Sequence, residues 1–400
     1  MNTFNNQETG TNLSMRKLLP VMSGFFIMGF VDLIGIAINY VKSDLALTDS
    51  LVNLISFSCF FWFFVLSIPT GHLMCRIGRK KTVQISFAFT FAGLLIPVIS
   101  YSFTTVLIAF GLIGIGNTMI QVALNPLVTN VVSKEKVTGA LTLGQFIKAI
   151  SSLSGPIIVS WLASAFFEWK YIFPAYAMVT LITAIWLWTT SIDEGKRKTK
   201  EQLSFLKTLS LLKNKKLLAF FIGIVVLVGV DVGLNTTLPK YLIEKTGIPL
   251  HKAILGNSVY FLVRTIGAFT GGLLLMKHSE RTFFKYSVII AFLGFIGILV
   301  FNSVSGIMAA LVVFGIGYAN LFSIIFALSM KLLPERADEI SSLLIVGVSG
   351  GAIITPLLGI VSDFFGNQFS AISILAICWI YMICLIKTIN QLGTNQLLEI

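Results

Sequence analysis

Four ionisable side chains stand where the chain is otherwise apolar: Asp32, Lys148, Asp231 and Arg264. A charge in hydrocarbon is expensive unless it meets a partner or a water-filled cavity, so each is a functional candidate by default. Two interhelical ion pairs would account for them as structural elements alone. The spacing of their polar neighbours argues for more. Asp32 and Asn39 lie two helical turns apart, while Asn117, Gln121 and Asn125 step by one turn each. Gln145, Lys148 and Ser152 follow three- and four-residue steps, as do Asn257, Tyr260 and Arg264. Asp231 and Asn235 are one turn apart, and Asn320 stands on a further span. Side chains three or four apart share a helix face, so these stripes are expected to converge on one central cavity. Amides both donate and accept, as hydroxyls do, and two acids balance two bases. Such a cavity suits a polyhydroxylated ligand, and Lys148 or Arg264 left free would also hold a sugar acid.

The elements that position these residues follow from composition. The 400 residues are 56% hydrophobic and 12% charged, with 34 Phe, too little charge to cover a soluble fold. The apolar residues fall in blocks of about twenty, the length that crosses a bilayer core. The first block, residues 18–41, is too long for a signal-peptide core and reads as a retained helix. Twelve helical spans are expected, at 18–41, 51–74, 82–101, 103–131, 138–165, 170–190, 217–243, 253–276, 283–302, 305–332, 340–362 and 368–390. The fold class is therefore an all-α membrane protein.

An even number of spans puts both termini on one side, and Lys and Arg decide which. Placing the termini in the cytoplasm puts most of the 29 cations inside: Arg16, Lys17, Arg76, Arg79, Lys80, Lys81, Lys134, Lys136, Lys277, Arg281, Lys285, Lys331, Arg336, Lys387 and the cations of 191–216. Only Lys42, Lys170, Lys240, Lys245 and Lys252 fall outside. The net charge of +12 thus reads as a topology signal and not as a nucleic-acid footprint. The four cysteines show no metal-ligand spacing, and no nucleophile–base pair or phosphate loop is present, so neither an enzyme nor a cofactor is expected.

The basic stretch 191–216 splits the chain into an N-terminal bundle (1–190) and a C-terminal bundle (217–400). The two resemble each other at an offset near 200. Thr70-Gly71 matches Thr270-Gly271, Gly114-Ile115-Gly116 matches Gly315-Ile316-Gly317, Gly155-Pro156 faces Thr355-Pro356, and Phe25-Phe26-Ile27 faces Phe220-Phe221-Ile222. Two parallel six-helix repeats joined by a basic loop are the plan of the major facilitator transporters. The loop Gly71-His-Leu-Met-Cys75-Arg76-Ile-Gly78-Arg79-Lys80-Lys81 resembles their G-x-L-x-D-R-x-G-R-K motif, a gating loop in which an acid pairs with cations; here Cys75 holds the acid's place. Gly71 is expected to admit a neighbouring helix, Gly78 to form a tight turn, and the cations to reach helix C-terminal carbonyls or anionic headgroups.

The segment from Gly114 to Thr129, with Gln121, Asn125 and Pro126, resembles the fucose–proton symporter family, which includes glucose/galactose permeases. The resemblance implies a multi-pass protein of the bacterial inner membrane, monomeric, that imports a sugar by alternating access with proton symport. It also exposes two departures: the family's proton-carrying acids would fall at Ile36 and Gln121. Asp32, one turn before Ile36, and Asp231, the counterpart of Ile36 in the second repeat, are the substitutes, with Arg264 or Lys148 tuning them. A drug or organic-anion exporter of the same fold and an uncoupled uniporter are the alternatives. The proton-antiporter pattern G-x-x-x-G-P-x-x-G-G is only partly present at Ser151–Ile158.

Overall fold

The computed structural model describes residues 8–128, 130–132, 137–166, 168–194, 205–275, 279–333 and 336–391. Among them, 12 helices are long and apolar enough to cross a membrane. They are α1 (Arg16–Asp44), α2 (Asp49–Met74), α3 (Arg79–Ile99), α4 (Phe103–Val128), α5 (Leu143–Ala165) and α6 (Trp169–Thr189), followed by α7 (Lys215–Thr246), α8 (Leu250–Leu275), α9 (Glu280–Val300), α10 (Val304–Leu332), α11 (Leu343–Phe365) and α12 (Gln368–Asn390). The expected spans match these within a few residues. Lys134, Lys136, Lys277 and linker positions 195–204, which carried part of the orientation argument, lie outside the described residues.

Helices are the natural solution because hydrocarbon offers no partner for a free backbone N–H or C=O. Their ends are closed by local chemistry. Thr48, Asn214, Ser279, Ser303 and Asn367 accept backbone N–H groups at the starts of α2, α7, α9, α10 and α12. Gly247 and Gly366, both at φ 69°, end α7 and α11 in the left-handed conformation. Large apolar side chains such as Ile99, Trp188, Phe269, Phe364 and Ile377 remain exposed, forming the surface expected to face lipid.

Between apolar helices in lipid, close packing replaces the hydrophobic driving force, and small residues supply it. The two Gly-Ile-Gly segments show this twice. Gly114 lies against the Cys59 backbone of α2 and Gly116 against Thr90 and Ser86 of α3. Gly315 lies against Val263 of α8 and Gly317 against Ala291 and Ser287 of α9. The sequence repeat is thus a packing repeat: α4 meets α2 and α3 as α10 meets α8 and α9.

Several spans are interrupted, α8 by a turn at Ile254 near its start and three others further in. A 3-10 stretch, Gly29–Leu33, sits in the middle of α1, another, Gly347–Ser349, lies in α11, and α10 turns at Ala319-Asn320. None of the three breaks contains a proline.

The first six and last six spans meet along a seam running from mid-bundle to the end away from residues 76–81, here termed the far end. Asn39 Nδ2 of α1 donates to the Thr236 carbonyl of α7 (3.1 Å), Asn53 Nδ2 of α2 to the Thr355 carbonyl of α11 (3.0 Å), and Ser160 Oγ of α5 to the His251 carbonyl of α8 (2.8 Å). At the opposite, linker end, the faces of α5 at Leu143, Gln145 and Phe146 and of α8 at Leu262, Ile266 and Phe269 are exposed.

Candidate functional site

Asp32 stands on the 3-10 stretch of α1. Gly29, one turn earlier, allows the helix to reach α5, since a Cβ there would meet the Lys148 carbonyl at 2.7 Å. Gly35, further along, admits the Asn235 side chain of α7. With small residues on both sides, α1 is held between α5 and α7, and Asp32 bonds to both halves of the chain, through its carboxyl on one side and its backbone carbonyl on the other. Ser152 Oγ donates to Asp32 Oδ2 at 2.5 Å, and Asn235 Nδ2 donates to the Asp32 carbonyl at 3.3 Å.

Asn235 is itself held by a backbone defect. Pro239 has no N–H to give the carbonyl four residues back, which is that of Asn235. Asn257 Nδ2 of α8 takes the vacant place, donating to the Asn235 carbonyl at 2.9 Å and to Asn235 Oδ1 at 2.7 Å. The chain Asn257–Asn235–Asp32 thus joins α8, α7 and α1 across the seam.

On the other side of the seam stands a different arrangement. Arg264 Nη1 of α8 lies 2.7 and 2.6 Å from the two oxygens of Asp231 on α7, and Tyr260 Oη donates to Asp231 Oδ1 at 2.5 Å. The guanidinium carbon is 6.0 Å from the Tyr260 ring centroid and 5.7 Å from that of Tyr318 on α10, within cation–π range. Tyr318 Oη donates to the Leu227 carbonyl at 3.0 Å, fixing the ring. The Arg264 side chain is 32% exposed and its Nε and Nη2 donate to no described residue, so donors remain for a ligand.

Of the two ion pairs considered from the sequence, the structure contains one. Asp231 and Arg264 pair directly; among the described residues Lys148 has no carboxylate oxygen within 4.0 Å, although it stands close enough to Asp32 to act through space. Asp32 and Asp231 nevertheless line one small cavity, together with Ile34, Phe60, Val232, Asn235 and Phe261. Two carboxylates from different halves therefore face one space, one neutralised by a guanidinium and the other not.

The remaining stripe residues divide. Gln121 Nε2 donates to Asn117 Oδ1 (2.8 Å), and Asn117 Nδ2 donates to the Met28 carbonyl (2.9 Å), so this pair buttresses the α1 break. Asn125 Oδ1 is buried without a protein partner. Gln145 is exposed, nearer the linker end than Lys148. Asn320 does not join the cluster: it sits at the turn of α10, and its Nδ2 donates to the Gly267 carbonyl of α8 at 2.8 Å. Asn39 is likewise engaged in the seam, on the Gly35 and Thr236 carbonyls. Tyr318 was missed by the stripe argument, although it lies one turn after Phe314 and its ring stacks on that one (5.6 Å).

The basic loop is built as its spacing implies, with one correction. Gly78, at φ 99°, makes the turn between α2 and α3. Arg79 Nη1 donates to the Pro126 carbonyl (2.9 Å) near the end of α4, and Lys80 Nζ to the Trp188 and Thr190 carbonyls (2.9 and 2.8 Å) at the end of α6. Cations thus cover the negative ends of two helices. Arg76, in the helical turn that continues α2 to Ile77, lines a surface groove with Lys81 and Gln84. Gly71 does not admit a neighbouring helix, because a Cβ at that position would meet nothing within 4 Å. Glu194, which the sequence reading overlooked, accepts the backbone N–H groups of Arg79 (2.7 Å) and Lys80 (2.9 Å), bringing an acid to a loop whose motif position is Cys75.

Twelve membrane-length helices, a repeated helix-packing pattern and a polar seam at mid-bundle define a transporter architecture. The sequence profile of the Major Facilitator Superfamily matches residues 21–356 and 233–392, and the chain belongs to that superfamily. Within it the chain is 27% identical over 380 residues to the glucose/galactose transporter of Brucella abortus (biovar 1, strain 9-941), an alignment covering 90% of each. It is 24% identical over 401 residues to the L-fucose-proton symporter of Escherichia coli K12, covering 87% of each. The likeness read from α4 is thereby borne out. The fold matches the solved structure of a bacterial homologue of the human lysosomal transporter Spinster, in an inward-facing and unoccupied conformation, with a TM-score of 0.77 at 16% identity over 97% of this chain and 99% of that one.

Proposed function

We propose that the protein is a proton-coupled importer of a sugar or sugar derivative, working by alternating access between bundles 1–190 and 217–400. The observation that carries the reading is the pair of carboxylates lining one cavity from the two halves, Asp231 already neutralised and Asp32 held only by a hydroxyl. A carboxylate locked to a guanidinium gives up its charge only at high cost. Asp32 is therefore the proton carrier, and Asp231 orients Arg264 and Tyr260 towards the sugar.

Free Arg264 donors and the amides Gln121 and Asn125 supply what a polyol requires, groups that donate and accept hydrogen bonds. Relatives named for glucose, galactose and fucose support the substrate class. The linker end, carrying Arg76, Arg79, Lys80 and Lys81, is the cytoplasmic face of a bacterial inner membrane, with both termini on that side. The transporter is a monomer, and protons and the bilayer are its other partners.

The test is uptake of radiolabelled neutral hexoses, N-acetylhexosamines and sugar acids into proteoliposomes, with and without an inward proton gradient. One sugar is expected to accumulate only when the gradient is imposed. Equilibration without accumulation would establish a uniporter, and no uptake of any member would favour an exporter. Gln121→Ala and Asn125→Ala are expected to lower uptake several-fold with folded protein retained in the membrane.

A further inference from the structure

The far end of the seam carries a second buried charge cluster that the transport site does not use. Asp49, first residue of α2 and 3% exposed, lies 2.6 Å from Lys240 Nζ of α7 and 2.7 Å from Lys42 Nζ of α1. Its Oδ2 also accepts from Ser362 Oγ of α11 (2.8 Å) and Gln368 Nε2 of α12 (2.6 Å). One carboxylate from the first six spans thus gathers donors from three of the last six. A second acid returns the contact: Asp363, at the end of α11, accepts the Asp49 and Ser50 backbone N–H groups (2.8 and 2.7 Å) at the start of α2.

We propose that Asp49 is the hub of a gate closing the cavity to the far side, and that release of Lys240 from Asp49 opens it. The inference rests on the transporter reading and extends it to the residues that set which way the cavity faces. Three observations support it. First, gate and cavity share their helices: α1 carries Asp32, Asn39 and Lys42, and α7 carries Asp231, Asn235 and Lys240. Movement of α7 at the substrate site therefore reaches Lys240 directly. Second, Lys240 is 8% exposed, so parting the halves there must either rehydrate both charges or leave one unpaired, which makes the contact two-state and not graded. Third, the bonds between the halves run from mid-bundle to the far end, whereas the linker-end faces of α5 and α8 are exposed. A closed far end opposite exposed linker-end faces is the arrangement this lock holds.

The experiment uses the full-length protein in nanodiscs without sugar, spin-labelled at Ser43 and Lys252, exposed far-end positions on opposite sides of the seam, in a background free of the native cysteines. Asp49→Asn and Lys240→Gln are each expected to raise the long-distance, far-end-open fraction at least tenfold. The double variant should exceed neither, because the two side chains act as one latch. If Asp49→Asn fails to fold, Lys240→Gln decides, since it keeps Asp49 bonded to Lys42, Ser362 and Gln368. Wild-type distances in a folded Lys240→Gln protein would overturn the gate. The readout needs no substrate, so a variant that opens in a protein moving no sugar would overturn the sugar reading and leave the gate standing.

Discussion

Asp32→Asn is expected to abolish uphill sugar accumulation while leaving sugar exchange across the membrane within a few-fold of wild type. A gradient of one pH unit is worth about 1.4 kcal/mol per proton, enough for roughly tenfold accumulation at one proton per sugar. An amide in place of the carboxyl still accepts from Ser152 and carries no proton, so the ratio of internal to external sugar should fall to equality. Exchange survives because the seam bond from Asn235 uses the Asp32 backbone carbonyl and not its side chain. The comparison is made in proteoliposomes with an imposed gradient for accumulation and preloaded unlabelled sugar for exchange. Loss of both activities together would assign Asp32 to substrate binding, and retention of accumulation would assign coupling elsewhere.

The second large effect is expected at Arg264. Removing its guanidinium takes away the partner of Asp231 and the donors proposed for the sugar. A hydrogen bond to a charged group contributes about 1.5–3 kcal/mol, equivalent to roughly 10- to 100-fold in affinity. Arg264→Gln should therefore weaken sugar binding by that factor and lower the thermal midpoint, since Asp231 is left half-buried without its cation. Arg264→Lys keeps the charge but not the geometry in which the guanidinium lies against Tyr260 and Tyr318, so recovery should be partial. The substitution series is read by sugar-dependent thermal shift alongside uptake. Full recovery by Lys would show that only the charge matters. An unchanged affinity in Arg264→Gln would remove the site from α8.

The helices were legible because the bilayer imposes a length on them, and apolar runs of that length stand out in any window. The Gly-Ile-Gly repeat was legible for a related reason: close helix contacts in lipid demand small residues, and both copies make the same contacts. The break at Gly29–Leu33 was not legible. No proline marks it, and it begins at Gly29, where α1 closes on the Lys148 carbonyl of α5, a contact between distant segments that no local pattern announces. Asn320 shows the limit of stripe reasoning, because an isolated amide on a helix serves a neighbouring backbone as readily as a cavity. The far-end cluster was hidden for a different reason. Lys42 and Lys240 entered only as loop charges to be counted, whereas Asp49 and Asp363, at the same end of the bundle, are their natural partners once the helices are assembled. Counting cations by loop gives an orientation and no pairing.

The most direct measurement of the central claim is the external pH of a lightly buffered proteoliposome suspension when the transported sugar is added. The account predicts an immediate alkalinisation, as protons enter with the sugar, that is absent in Asp32→Asn. Sugar entry with no change in external pH would contradict it and make the protein a uniporter.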